Sequence, residues 1–500
     1  MVSNDPGLEA SFTLEDKQGA VIEEPPFRML ILGDWSGKGV KAPLADRRPT
    51  EIDRDNFDEV LGLTQPKVEI DMEGGARLEL VFRELDDFHP DQIFRQIPLF
   101  AELRDLRKRL NSEETFHAAA RDVRERFSTH IDRDGPETFS EDATVTGVSA
   151  DDLLDAILDR PAGGGSVPKP KPSDDLGALV ADLVRPHLVS IDDTERSAYV
   201  AAVDEATSTL MRTILHHPGF KELEAAWRGL YLLVRRTETS PDLKLFILDI
   251  AKEELAEDLR SVDDLEQSVI YKQLLTDTRT NESWAALIGN YDLLPEIDDI
   301  ALLMRTAKIA AAANAPFISH MRPDVLGVHS LHENPDPADW RIADDSSSAK
   351  LWAAVCDQSE AVYIGLTTPR FLGRLPYGSD TDPLEGFLFE EFADVPAHDD
   401  YLWANSAFIA GHLLAATFSE RGWEMGRHFK QDIDGLPLHI YKEGTETVYK
   451  PCGEVLLSDR AVELMIAKGL MPLVSYKSTD KVKLAMFQSI AGTALNGRWY

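Results

Sequence analysis

The chain has 500 residues, 43% of them apolar and 28% charged, with a formal net charge of −36 and two cysteines. That length suits about three domains with sizeable cores. The acidic balance argues against a nucleic-acid or anionic-membrane binder, the distant Cys356 and Cys452 against a disulfide framework or a Cys-rich zinc site, and the lack of any long apolar run against a membrane span.

Residues 1–26 are polar, end in Glu23-Glu24-Pro25-Pro26 and read as a flexible arm without the layout of a secretory signal. Phe27–Leu32 is an apolar run stopped by Gly33-Asp34, which predicts a buried strand. Ile52–Leu61 predicts a short amphipathic helix. Lys67–Asp71 and Arg77–Arg83 alternate around Glu73-Gly74-Gly75, a hairpin pattern. From Pro90 to about Leu110 the spacing of Ile93, Phe94, Ile97, Phe100, Leu103 and Leu106 predicts one helix. Another helix is expected over Phe116–Ile131.

Composition then changes. Ala162–Ser173 reads AGGGSVPKPKPS, a linker of glycines followed by an extended Pro-Lys run. Beyond it, Thr194–His217 and Pro218–Arg236 have helical spacing. Strands are expected at Leu243–Ile250, Ala285–Ile288, Pro316–His320, Ala361–Ile364, Leu438–Tyr441 and Leu473–Tyr476. Helices are expected at Asp298–Ala313 and at Asp459–Lys468, the latter capped by Gly469. Strand, helix and strand in succession predict an α/β fold, with mixed sheets and flanking helices.

Signatures of chemistry are missing. There is no Walker A loop, no G-x-S-x-G elbow and no H-E-x-x-H. Gly33–Gly39 is glycine-rich after a strand but has the wrong spacing for a phosphate loop. His216 and His217 are adjacent, so they would not face one metal from one helix; a role at a helix end fits better. No catalytic, cofactor or metal residue is therefore assigned, and the chain is not expected to be an enzyme. Ser149–Arg160, reading SADDLLDAILDR, predicts a short helix whose Leu153, Leu154, Ile157 and Leu158 form one apolar stripe. Such a stripe needs a docking surface, in this chain or in a partner.

Several strings resemble one family. Gly33–Gly37 (GDWSG), Asp46-Arg47, Ile52–Val60 (IDRDNFDEV) and Asp86–Asp91 (DDFHPD) resemble the small subunit of the type VI secretion contractile sheath, TssB or VipA, over about residues 25–112. Ile214–Leu230 (ILHHPGFKELEAAWRGL), Ala286–Tyr291 (ALIGNY), Arg370–Gly378 (RFLGRLPYG), Gly469–Val474 (GLMPLV) and Lys477–Asp480 (KSTD) resemble the large subunit, TssC or VipB. The resemblance implies a contractile-sheath protomer architecture. It divides the chain into the arm at 1–26, a small-subunit-like domain at 27–135, an acidic linker with the short helix at 136–175, and a large-subunit-like domain at 176–500.

The resemblance also implies a role and partners. These are self-association or other sheath subunits, an inner tube, baseplate components and a ring AAA+ disassembly ATPase, in the bacterial cytoplasm, without nucleic acid or membrane insertion. The Leu153, Leu154, Ile157 and Leu158 stripe would be the ATPase docking face. Large subunits normally continue past the KSTD region with a tail that locks neighbours by β-augmentation. Its lack keeps open a second reading: a non-contracting cap, nucleator or baseplate-associated relative.

Overall fold

The computed structural model describes residues 24–72, 77–131, 196–276, 283–341, 346–426 and 428–499. The first part of the chain supplies β1 (Phe27–Gly33), β2 (Thr50–Ile52), α1 (Phe57–Thr64), β3 (Lys67–Asp71) and β4 (Arg77–Val81). It then supplies α2 (Pro90–Gln96), α3 (Pro98–Asn111) and α4 (Phe116–Ile131). The second part opens with α5 (Arg196–Leu215), α6 (Pro218–Arg236), β5 (Leu243–Asp249), α7 (Lys252–Arg260), β6 (Ala286–Leu293) and α8 (Ile297–Ala313). It continues with β7 (Phe317–Met321), α9 (Ser347–Cys356), β8 (Ile364–Thr368), β9 (Phe371–Leu372), β10 (Trp403–Ala404) and α10 (Ala407–Arg421). Last come β11 (Asp432–Ile433), β12 (His439–Glu443), β13 (Glu446–Lys450), α11 (Asp459–Ala467), β14 (Leu470–Ser475) and β15 (Val482–Leu484).

A nine-stranded sheet organises the molecule, in the order β11-β15-β14-β8-β7-β6-β1-β5-β2. The run from β14 to β5 is parallel, and antiparallel β2 and β15 flank it. β1 is buried along its whole length, which is why its sequence is continuously apolar rather than alternating. Its one charged residue, Arg28, lies over the rings of Phe246 and Trp284, at 4.6 and 4.3 Å, so the guanidinium stays in favourable contact with π-faces.

Side chains leave a strand alternately to its two faces. Phe27, Met29 and Ile31 accordingly join one core with α6 and α10, while Leu30 and Leu32 join a second with α7 and α8. The first core draws on residues from Phe27 to Trp499. α10 is apolar nearly all round because it is covered on every side. At Gly229 of α6 an added Cβ would sit 2.4 Å from the Phe408 ring, so glycine sets how closely α6 and α10 cross.

The α/β architecture matches the expectation, and three local readings are corrected. Ile52–Leu61 is not one helix: Ile52 ends β2, and α1 starts at Phe57. Between them the Asp53 carboxylate accepts from the backbone N–H groups of Asp55 and Asn56, and Asn56 Oδ1 accepts from Asp53 N. These side chains offer the backbone an alternative to helix. The helix expected from Pro90 to Leu110 is two, broken at extended Ile97 before Pro98, because proline disfavours the helical region in the residue before it. Ala361–Ile364 is mostly a 3-10 turn, and the strand begins at Ile364. Both cysteines are free as expected; Cys452 is buried and Cys356 only partly so.

Candidate functional site

The residues that carry the strongest sequence signals converge where the two parts of the chain meet. β1 pairs in parallel with β5 from Phe27↔Leu243 to Gly33↔Asp249, and with β6 from Met29↔Ala286 to Leu32↔Gly289. On its other edge β5 pairs with β2. A strand from the second part therefore lies between two strands of the first, and residues far apart in sequence share every rung.

The Gly33–Gly39 loop locks this joint. Asp249, at the end of β5, accepts from Trp35 N at 2.8 Å, from Ser36 N at 3.3 Å and from Ser36 Oγ at 2.7 Å. Trp35 Nε1 donates to Leu248 O at 3.2 Å, and Trp227 Nε1 of α6 donates to Trp35 O at 2.9 Å. The two indoles meet edge-on with centroids 5.5 Å apart, and Phe57 meets Trp227 at 5.8 Å. Arg47 grips Glu254 through two bonds of 2.7 and 3.0 Å and donates to Asp249 O. That pairing, joined by the Ala251 backbone N–H and Lys41, outweighs burial and holds the Glu254 carboxyl at about 2. The glycine-rich string is thus a structural clamp.

A second lock, within the second part of the chain, is ionic. Glu224 stands on the apolar face of α6 at 0% exposure. It accepts from Arg374 Nε at 2.8 Å and Arg228 Nε at 2.7 Å. Arg374 also donates to Glu391 at 2.7 and 3.1 Å, Glu391 accepts from Tyr377 N, and Arg228 donates to Tyr377 Oη. Two arginines and two glutamates cancel in a buried site, where an unmatched charge would cost several kcal/mol. Burial alone would raise the Glu391 carboxyl, but Arg374, His216 and the Tyr377 backbone N–H bring it to about 2. A carboxyl depressed in the folded state contributes stability that is whole above its unfolded value and lost as pH falls toward the folded one. The contribution of Glu391 to the urea midpoint should therefore be whole down to about pH 4.5 and be lost steadily from there toward about pH 2. A Glu391→Gln variant should show a shallower drop.

The first part also grips the loop that follows this network. Asp91 accepts from the backbone N–H groups of Glu385 and Gly386 at 2.9 and 2.8 Å. Phe94 packs on Phe387 and His89 on Tyr377. Phe82 and Phe88 stack at 3.9 Å and both meet Phe220 of α6, while Arg107 of α3 pairs with Asp204 of α5. The DDFHPD string therefore joins the two parts of the chain.

A half-open cleft of about 780 Å³ lies where β1, β5 and β6 end, with Asp34, Lys38, His217, Lys221, Glu222 and Arg370 among its lining. Burial lowers the Lys221 pKa, and burial with Asp292, Asp34 and Glu253 raises that of Glu222. His216 and His217 both line this cleft. His216 sits between Glu391 and Asp400, at 3.7 and 3.8 Å, and His217 is the residue before α6. Among the described residues no group of three His, Cys, Asp or Glu side chains could hold a metal ion. The Leu153, Leu154, Ile157 and Leu158 stripe lies outside the described residues, as does the linker after it.

Sequence reasoning missed Glu224, Arg374 and Glu391 as a unit. A usable signal was Glu224 itself, a carboxylate spaced with Phe220, Leu223 and Trp227 on the buried face of a helix.

Two family models match the chain. Residues 197–491 match the family model described as VipB: EvpB/VC_A0108, tail sheath N-terminal domain. Residues 5–135 match that described as Type VI secretion system, VipA, VC_A0107 or Hcp2. The type VI secretion system sheath protein TssC1 of Pseudomonas aeruginosa is 36% identical over 300 residues, 58% of this chain and 60% of that protein. The sheath protein TssB1 of the same organism is 34% identical over 93 residues, 17% of this chain and 54% of that protein. The chain thus spans somewhat more than half the length of each. It belongs to the VipB tail-sheath family and carries a VipA-like part, a TssB-like and a TssC-like sequence in one polypeptide.

Proposed function

We propose that this chain is a protomer of a type VI secretion contractile sheath, polymerising around an inner tube in the bacterial cytoplasm so that its contraction drives effector injection. The observation that carries this reading is β5 held between β1 and β2. What relatives supply as two proteins is here one interleaved unit, with a fixed one-to-one ratio and no encounter step between the parts. With both locks buried inside that unit, contraction is a rigid-body shift between protomers rather than a rearrangement within one. The role asks no covalent chemistry of any side chain. Among the described residues no helix is long and apolar enough to cross a membrane.

Electron microscopy of the purified chain, alone and with a separately produced large subunit, tests the reading. Tubes are expected. Discrete particles under both conditions would overturn polymerisation and favour the accessory role of cap, nucleator or baseplate-associated protein. Within the same reading, Leu153, Leu154, Ile157 and Leu158 dock the ring AAA+ ATPase that disassembles the sheath. The paired change Leu154→Glu and Ile157→Glu should abolish pull-down of that ATPase; undiminished binding would sink the docking role.

A further inference from the structure

β12 and β13 form a hairpin that pairs with no other strand among the described residues. Its second rung, Ile440 against Tyr449, is 47% and 41% exposed. An isolated two-stranded hairpin is marginal in water, so side chains at its base must hold it to the body. The base rung is His439 opposite Lys450, both buried. His439 Nδ1 lies 2.7 Å from Tyr401 Oη. Lys450 Nζ approaches His398 Nδ1 at 3.1 Å and lies 4.8 Å from the centre of the Tyr401 ring. His398 is in turn sandwiched between Trp403 at 4.9 Å and His332 at 4.1 Å, the two imidazoles being parallel within 7°.

We propose that His332, stacked on His398, and His439, opposite Lys450, form an acid-opened clasp, which holds the β12–β13 hairpin against the body at neutral pH and releases it as these two imidazoles take up protons. Lys450 has only donors, so the contact at 3.1 Å requires His398 Nδ1 to be the acceptor. A proton on His439 places a second cation on the base rung, opposite Lys450. A proton on His332 places a charge on a ring stacked face to face with His398, beside Lys450.

The surrounding carboxylates do not cancel this repulsion. Glu454, 3.7 Å from His398 Nε2, is already bonded by the Arg370 side chain and backbone N–H. Asp399 and Glu333 on the His332 side and Glu391 on the His439 side favour the cations, but burial opposes them. For both rings burial is the dominant influence and lowers the pKa below 6.5. A base depressed in the folded state stabilises it fully above its unfolded pKa and loses that contribution below it. The clasp is therefore whole above about pH 6.5 and weakens as pH falls further.

Amide hydrogen exchange on the full chain at about pH 7.5 and about pH 5.5, expressed as protection relative to intrinsic rates, tests this. Protection of residues 439–450 should fall several-fold on acidification, while β1, β5 and β6 keep theirs. The triple change His332→Phe, His398→Asn and His439→Asn keeps a stacking ring and two neutral acceptors, and should hold the hairpin's protection at both pH values. The pair His332→Phe and His439→Asn, with His398 kept, should remove much of the pH dependence. Equal protection of the wild-type hairpin at both pH values would overturn the clasp. So would the same acid loss in the variants, or a parallel loss in the central sheet.

Discussion

Replacing Arg374 by methionine is expected to destabilise the folded chain by about 3–5 kcal/mol, the usual consequence of removing one partner from a buried ionic network. Arg374 is 8% exposed and supplies two bonds to Glu224, two to Glu391 and one to Leu375 O. Without it Glu224 retains Arg228, but Glu391 keeps only the Tyr377 backbone N–H and His216 against full burial. The loop carrying Tyr377, Glu385 and Gly386 then loses its ionic tie to Glu224 and keeps only the bond from Arg228 to Tyr377 Oη on that side, which weakens the grip of Asp91. A large fall in the urea midpoint is the expected readout. Arg107→Met, at the half-exposed pair with Asp204, should cost no more than about 1 kcal/mol, as solvent-exposed pairs do. Equal effects at the two sites would refute the importance assigned to the buried network.

The second large effect is expected at Trp227. Its side chain is fully buried, packs edge-on against Trp35 and Phe57, and donates to Trp35 O. Trp227→Ala removes that bond and opens a cavity where three segments of the joint meet, so a loss of about 3–5 kcal/mol is expected. Trp227→Phe should recover a good part of it by refilling most of the space. Because Trp35 O would still lack its donor, recovery should be incomplete. A Phe variant no better than Ala would show that the hydrogen bond, rather than packing, dominates at this site.

Much of the local structure could be read directly. β1 was legible because a strand buried on both faces needs an unbroken apolar run, and Phe27–Leu32 is one. α6 was legible from its spacing and from Pro218 at its start. The breaks at Asn56 and Pro98 were less visible, because they depend on single residues that interrupt an otherwise persuasive period. The pairing partners of β1 were not legible at all: nothing in its own sequence says that Leu243–Asp249 and Ala286–Leu293 flank it. The conserved-looking strings were readable as a family resemblance, yet their physical purpose was hidden. GDWSG turned out to cap β5, DDFHPD to hold the 385–386 backbone, and RLPYG to deliver Arg374 and Tyr377 to Glu224 and Arg228. Each of those partners lies more than a hundred residues away, which is why spacing alone could not disclose them.

The most direct test of the interleaved protomer is to place a protease site within Ala162–Ser173, cut the purified chain to completion and pass it over a size-exclusion column in native buffer. The two fragments should elute together at the position of the intact chain and separate only when urea is added, because β5 remains held between β1 and β2 and Asp91 keeps its hold on the backbone of Glu385 and Gly386. Fragments that part in native buffer as two folded species would contradict a shared sheet and core.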